Sequence, residues 1–145
     1  MNPNYSFHLE EQASAADKNL IRQGLTAYNR QFADDTTARP LSIFVRNRQG
    51  ELVGGLLGYL YWGWLAVDVL WVQESARHQG VGSGLLVRAE AEACAAGIFR
   101  VHLDTMGFQA LPFYQKHGYI VWGQLDNFVH GHARYYLRKE LTNDS

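Results

Sequence analysis

Residues Arg77-His78-Gln79-Gly80-Val81-Gly82-Ser83-Gly84 set two cations and alternating glycines directly ahead of a helical pattern. Glycines let the backbone approach a ligand closely and turn N–H groups outward. A helix start behind them adds about half a positive charge and several unpaired donors. Together these favour an anion, and phosphate above all. The surrounding charges agree. Acids normally favour the first turn of a helix, yet none stands there, and Arg77 and His78 precede it. Cations at that end are unfavourable unless an anion sits between them. The plainer alternative is a glycine-rich loop carrying solvated charge.

Asp68 is the second candidate. It is the lone charge between Leu52 and Val72. In a regular strand Asp68 and Leu70 share one face, and Val67, Val69 and Trp71 share the other. A carboxylate in such an apolar run is costly unless it is paired or used. It is therefore either a functional group in a cleft or a structural one bonded to an Arg or a backbone N–H.

Two familiar phosphate patterns fail. No Lys-Ser or Lys-Thr pair follows the glycines, so this is not a P-loop. G-x-G-x-x-G fails because its third glycine position is Leu85. Asp104 stands about 20 residues beyond the turn, where a ribose-binding acid would sit. The strands before the turn, however, read as an antiparallel meander rather than a βαβ unit.

The positioning elements follow from periodicity and turn chemistry. Tyr5 to Leu9 alternates and predicts a short first strand. Ser14-Ala15-Ala16-Asp17 resembles a capping box, and Ile21, Leu25, Tyr28 and Phe32 extend a helix to about Phe32. Leu41 to Arg46, Glu51 to Tyr61 and Trp64 to Val72 read as strands, the first two joined by the turn Asn47–Gly50. Val81, Leu85, Ala89 and Ala93 predict a helix from about Gly80 to Ala96, ended by Gly97. Phe99 to Asp104 reads as a strand, Gln109 to His117 as a short helix, and Tyr119 to Gly123 and Arg134 to Lys139 as closing strands. The resulting order is β-α-β-β-β-α-β-α-β-β.

Composition bounds the class. The 145 residues suit a single domain spanning 1–145. With 47% hydrophobic residues the core needs no disulfide, and the single cysteine, Cys94, cannot form an internal one. A net charge of −1 gives no basic field for nucleic acid. Met1 to Glu10 lacks the apolar region of a signal peptide, so a cytoplasmic location is expected. Leu52 to Val72 has the length of a membrane span, but its glycines and the aromatic centre Tyr59–Trp64 fit two strands and a turn. No membrane association is expected.

Arg77-His78-Gln79-Gly80-Val81-Gly82 matches the Q/R-x-x-G-x-G/A signature, and Phe113-Tyr114-Gln115-Lys116-His117-Gly118-Tyr119 matches FY-x-x-x-G-F/Y. With these segments in this element order, the chain from Tyr5 to about Leu141 resembles the GNAT acetyltransferase superfamily. The resemblance implies an α/β fold: a mostly antiparallel sheet of about six to seven strands, splayed between the fourth and fifth, with about three to four flanking helices. It implies transfer of an acetyl group from acetyl-CoA to a primary amine through a ternary complex. The alternative is a module of the same fold that binds acyl-CoA without catalysis.

The resemblance also implies roles. Backbone amides of Gln79, Gly80, Val81, Gly82, Ser83 and Gly84 would hold the CoA pyrophosphate, with Arg77 adding charge. Leu70, Trp71 and Val72 would pair with the pantetheine arm as an added strand does. An amide near these residues would polarise the acetyl carbonyl. Phe113 and Tyr114 would lie against CoA, and Tyr114 would protonate the leaving thiolate. Asp68 is the candidate base, direct or through water, because many relatives carry a Glu on the equivalent strand.

For the acceptor, Tyr28 and Phe32, Trp62 and Trp64, and Phe108 are candidate pocket residues, and a small-molecule amine is the expected class. No broad acidic groove is evident beyond Asp34, Asp35 and Asp68. His130 and His132 lack further ligands at metal spacing, so no metal is expected. Relatives often dimerise through their last strands, which makes Phe128 to Leu141 a candidate homodimer interface.

Overall fold

A computed structural model describes residues 2–34 and 37–142, and the chain divides into two compact units, residues 1–36 and 37–145. Asp35, one of the acids considered for the acceptor groove, lies outside the described residues.

The first unit carries one helix, α1 (Ala15–Asn29). The Ser14 hydroxyl accepts from the Asp17 amide at 3.1 Å, so the cap expected from the sequence is made. The helix stops at Asn29 rather than Phe32, and residues 30–32 form a turn. Tyr5 to Leu9 forms no strand. Alternation is only half of a strand; a ladder partner is the other half, and this segment pairs with none among the described residues.

The second unit is a six-stranded sheet in the order β1-β2-β3-β4-β6-β5. Its strands are β1 (Arg39–Arg46), β2 (Leu52–Tyr61), β3 (Trp64–Val72), β4 (Arg100–Met106), β5 (Ile120–Leu125) and β6 (Arg134–Glu140). Helix α2 (Val81–Ala95) joins β3 to β4, and helix α3 (Leu111–Lys116) joins β4 to β5. The expected meander is present: β1, β2 and β3 pair antiparallel. Trp62 at φ 49° and Gly63 at φ 85° make the tight β2–β3 turn, as a right-twisted hairpin demands. With the first expected strand missing, the fourth and fifth strands of the sequence reading are β3 and β4.

One sheet face is the core. Leu56, Leu60, Leu65, Val67, Val101, Leu103 and Leu137 bury there against Leu85, Leu86, Ala89 and Ala93 of α2. Those four helix positions are the apolar stripe read from the sequence. Strand β6 has a neighbour on each side, so the free edge at this end belongs to β5. Within one chain, both edges of Arg134–Glu140 are thus occupied. No helix among the described residues is long and apolar enough to cross a membrane.

Candidate active site

The site begins where two parallel strands part. β3 and β4 pair only through Leu65↔Val101, Ala66↔His102 and Val67↔Leu103. Beyond that point β3 continues to Val72 and β4 to Met106 without pairing to each other. The β4-facing edge of residues 68–72 is thus an open row of backbone donors and acceptors, the kind of edge an extended ligand can join.

Asp68 stands at the fork, but not as the sequence predicted. The β2–β3 register passes from Leu57↔Val69 to Gly58↔Val67, so Asp68 is an extra residue in a bulge. The bulge resets the alternation. Val67 joins Leu70 and Val72 on the core side, while Val69 and Trp71 are exposed on the other. Asp68 is exposed as well, so no burial cost has to be offset at its carboxylate. What singles it out is position, immediately beyond the last β3–β4 pair. Gly58, opposite the bulge, is required by contact: a Cβ there would overlap the Ala66 carbonyl oxygen.

From Val72 the chain turns through a short 3-10 segment, Glu74–Ala76, into the glycine turn. The turn is tied down by its own polar groups. Arg77 Nε donates to the Val72 carbonyl at 2.9 Å, and Gln79 Nε2 to the Ser75 carbonyl at 3.1 Å. His78 and Gly80 both take positive φ, 61° and 80°. Gly80 is the N-cap of α2, with no side-chain cap and no acid in the first turn. The first helical bond runs from the Gly84 amide to the Gly80 carbonyl at 2.9 Å. The amides of Val81, Gly82 and Ser83 precede it and have no intrahelical acceptor. Uncapped amides, a helix dipole and the nearby Arg77 guanidinium are features that favour an anion at the open end of the fork.

Helix α3 lies on this turn. A Cβ on Gly82 would sit 3.5 Å from the Phe113 ring, an ordinary contact. Tyr114 follows, 7% exposed, with its ring edge-on to Phe113 and Tyr119. Burial, and then the negative charge of Asp104, push its phenol above the ordinary range. Its hydroxyl has no hydrogen-bond partner among the described residues, and it is not sealed from solvent. This is a phenol kept protonated with its proton uncommitted.

The acceptor candidates are not all brought together. Phe108 lies just past the end of β4, on the open side of the fork, edge-on to His132 at 5.0 Å. Trp62 stacks on Tyr61 at 4.2 Å in the hairpin turn, and Trp64 meets His102 and Arg100. Those two tryptophans sit at the closed end, roughly 25 Å from Val72 along β3 at about 3.3 Å per residue. The structure does not place them with the glycine turn. Tyr28 and Phe32 belong to the first unit, where their rings pack 5.4 Å apart.

The sequence reading missed two charged positions. Asp104 on β4, considered there only as a ribose acid, pairs with Arg134 at 2.9 Å and bears on Tyr114. Glu90 on α2 is half-buried, accepting from Tyr119 Oη at 2.8 Å and Lys139 Nζ at 3.1 Å. Its partners lie far along the chain, so no local signal could have found them. No group of three or more His, Cys, Asp or Glu that could hold a metal gathers among the described residues.

Known proteins are similar to this chain in sequence and fold. Residues 8–119 match the model of the acetyltransferase (GNAT) family. The acetyltransferase Atu2258 of Agrobacterium fabrum is 36% identical over 136 residues, covering 94% of this chain and 99% of that protein. Blasticidin-S acetyltransferase of Streptomyces morookaense is 42% identical over 108 residues, covering 72% and 79%. The crystal structure of an acetyltransferase from Bacillus cereus superposes with a TM-score of 0.85 at 34% identity, covering 93% of this chain and 98% of that one.

Proposed function

This chain belongs to the GNAT acetyltransferase family, and we propose that it transfers an acetyl group from acetyl-CoA to a primary amine of a small molecule, directly, within a ternary complex. The observation that carries the reading is the alignment of an open strand edge with an uncapped helix start. Residues 68–72 offer main-chain partners to an extended arm, and the α2 amides offer an anion site directly beyond. A diphosphate followed by an amide-bearing arm and a thioester has that same order of groups.

In this reading the amides of Gln79 to Gly84 hold the pyrophosphate. Arg77, anchored on Val72, adds positive charge. The pantetheine arm pairs along Leu70–Val72 and lays the thioester in the fork. A β3 amide there donates to the acetyl oxygen, most strongly as it becomes an oxyanion. The acceptor nitrogen loses a proton to water held by Asp68, then attacks the carbonyl carbon. The C–S bond breaks, and Tyr114 gives its proton to the departing sulfur. A small-molecule acceptor fits the named activity of the blasticidin-S relative.

Two variant sets test the roles. Asp68→Asn is expected to lower kcat/KM roughly ten- to a hundred-fold, through kcat and with the affinity for acetyl-CoA kept. An unchanged kcat assigns proton removal to solvent. In the turn, Gly80→Ala forces a Cβ into φ 80°, which costs roughly 1–2 kcal/mol and disturbs the amides. Gly82→Ala adds only an ordinary contact with Phe113. Titration with acetyl-CoA should show affinity weakened about ten-fold by the first and little changed by the second.

A further inference from the structure

We propose that His117 is a positioning residue for the donor's diphosphate: its Nε2–H donates to Ser83 Oγ and leaves the Ser83 hydroxyl proton for a phosphate oxygen. The inference rests on the acetyl-CoA reading above. Ser83 Oγ and His117 Nε2 lie 2.9 Å apart, both half-buried, joining side chains 34 positions apart in sequence. Ser83 is the third residue of α2, within the turn whose amides have no cap. A serine at such a place commonly bonds its own backbone. Here a ring from another helix holds it instead.

Helix α3 fixes that ring. His117 is the C-cap of α3, and its imidazole lies 4.9 Å from the Phe113 ring, which itself covers Gly82. The first turn of α2 is therefore gripped at two successive residues, 82 and 83, by the helix that carries Tyr114.

The direction of the hydrogen bond follows from what the site must receive. A hydroxyl has one proton and two lone pairs. If Ser83 donated to His117, its proton would be used and only lone pairs would face the anion, which repels them. If Nε2–H donates to Ser83, one lone pair is taken and the proton is free. A diphosphate brings only acceptors, so its presence selects the second arrangement.

The test compares acetyl-CoA with S-acetylpantetheine, which carries the thioester arm without the diphosphate. His117→Ala is expected to lower kcat/KM for acetyl-CoA about ten-fold, through KM and with kcat kept, and to leave kcat/KM for S-acetylpantetheine unchanged. His117→Gln, whose amide N–H can replace the donor, should recover most of the loss. The double variant with Ser83→Ala should lose no more than Ser83→Ala alone, because the two act as one unit. Equal loss with both donors, or strictly additive losses, would overturn the proposal and leave His117 a packing residue. Should His117→Ala not fold, His117→Phe, which keeps a ring against Phe113 and removes the donor, carries the same two-donor comparison. Equal use of both donors by the unaltered protein removes the diphosphate site itself. That failure of the parent reading is distinct from a preference for acetyl-CoA that His117 does not affect.

Discussion

Tyr114→Phe lowers kcat by roughly a hundred-fold while the affinity for acetyl-CoA stays within about two-fold. The physical reason is that only one atom is removed. The ring keeps its edge-on contacts with Phe113 and Tyr119, so the packing of α3 on the glycine turn survives. What disappears is the proton proposed above for the thiolate. The raised phenol pKa strengthens the expectation. Burial and the Asp104 charge both disfavour the phenolate, so the acid form persists above the usual tyrosine range near 10. In the unaltered enzyme the alkaline limb of kcat that belongs to Tyr114 should accordingly lie above that value. Steady-state kinetics with a CoA-binding isotherm check both points. An undiminished kcat in Tyr114→Phe would reduce the residue to a packing role.

Gly58→Ala is the second large effect, on stability and on the site together. The added methyl overlaps the Ala66 carbonyl oxygen, which is backbone and cannot swing aside as a side chain would. Overpacking of this kind costs about 3 kcal/mol, a sizeable part of a typical domain's stability. For a chain of this length that corresponds to a Tm lower by about 10 °C. The strain falls on the bulge that sets Asp68 at the fork, so molecules that remain folded should also turn over more slowly. Gly84→Ala is the control for the melt. Nothing lies within 4 Å of its Cβ, and alanine favours the helix, so its Tm should hold or rise.

Much of the site was legible because its signals are local. The glycines, the absent acids and the apolar stripe of α2 all fall within residues 77–95, and the structure builds the uncapped helix start there. The β2–β3 hairpin was equally readable from Trp62 and Gly63 between apolar runs. Features set by distant partners were not readable. The alternation of Tyr5 to Leu9 promised a strand, but no neighbour pairs with it among the described residues. The face assigned to Asp68 was wrong because its bulge is created by register with Leu57 and Gly58. Glu92 meets Arg88 one turn away on the outer side of α2, whereas Glu90 meets Tyr119 and Lys139 across the fold. Only the first of those pairs leaves a trace in local spacing.

The fork also explains why donor and acceptor are unequally legible. In the proposed reading a diphosphate and an amide-bearing arm are met by backbone, and backbone geometry follows from glycines and strand ends. An acceptor is met by side chains from separate segments. Of those expected, Phe108 lies on the open side of the fork while Trp62 and Trp64 lie at its closed end.

The most direct test of the account is incubation of the protein with acetyl-CoA and a panel of small-molecule amines, blasticidin S among them, with free thiol and products read by mass spectrometry. The account predicts thiol release that depends on the amine and a matching N-acetylated product. Thermal stabilisation by acetyl-CoA with no amine-dependent product anywhere in the panel would contradict it, and would leave a module that binds acyl-CoA without transferring it.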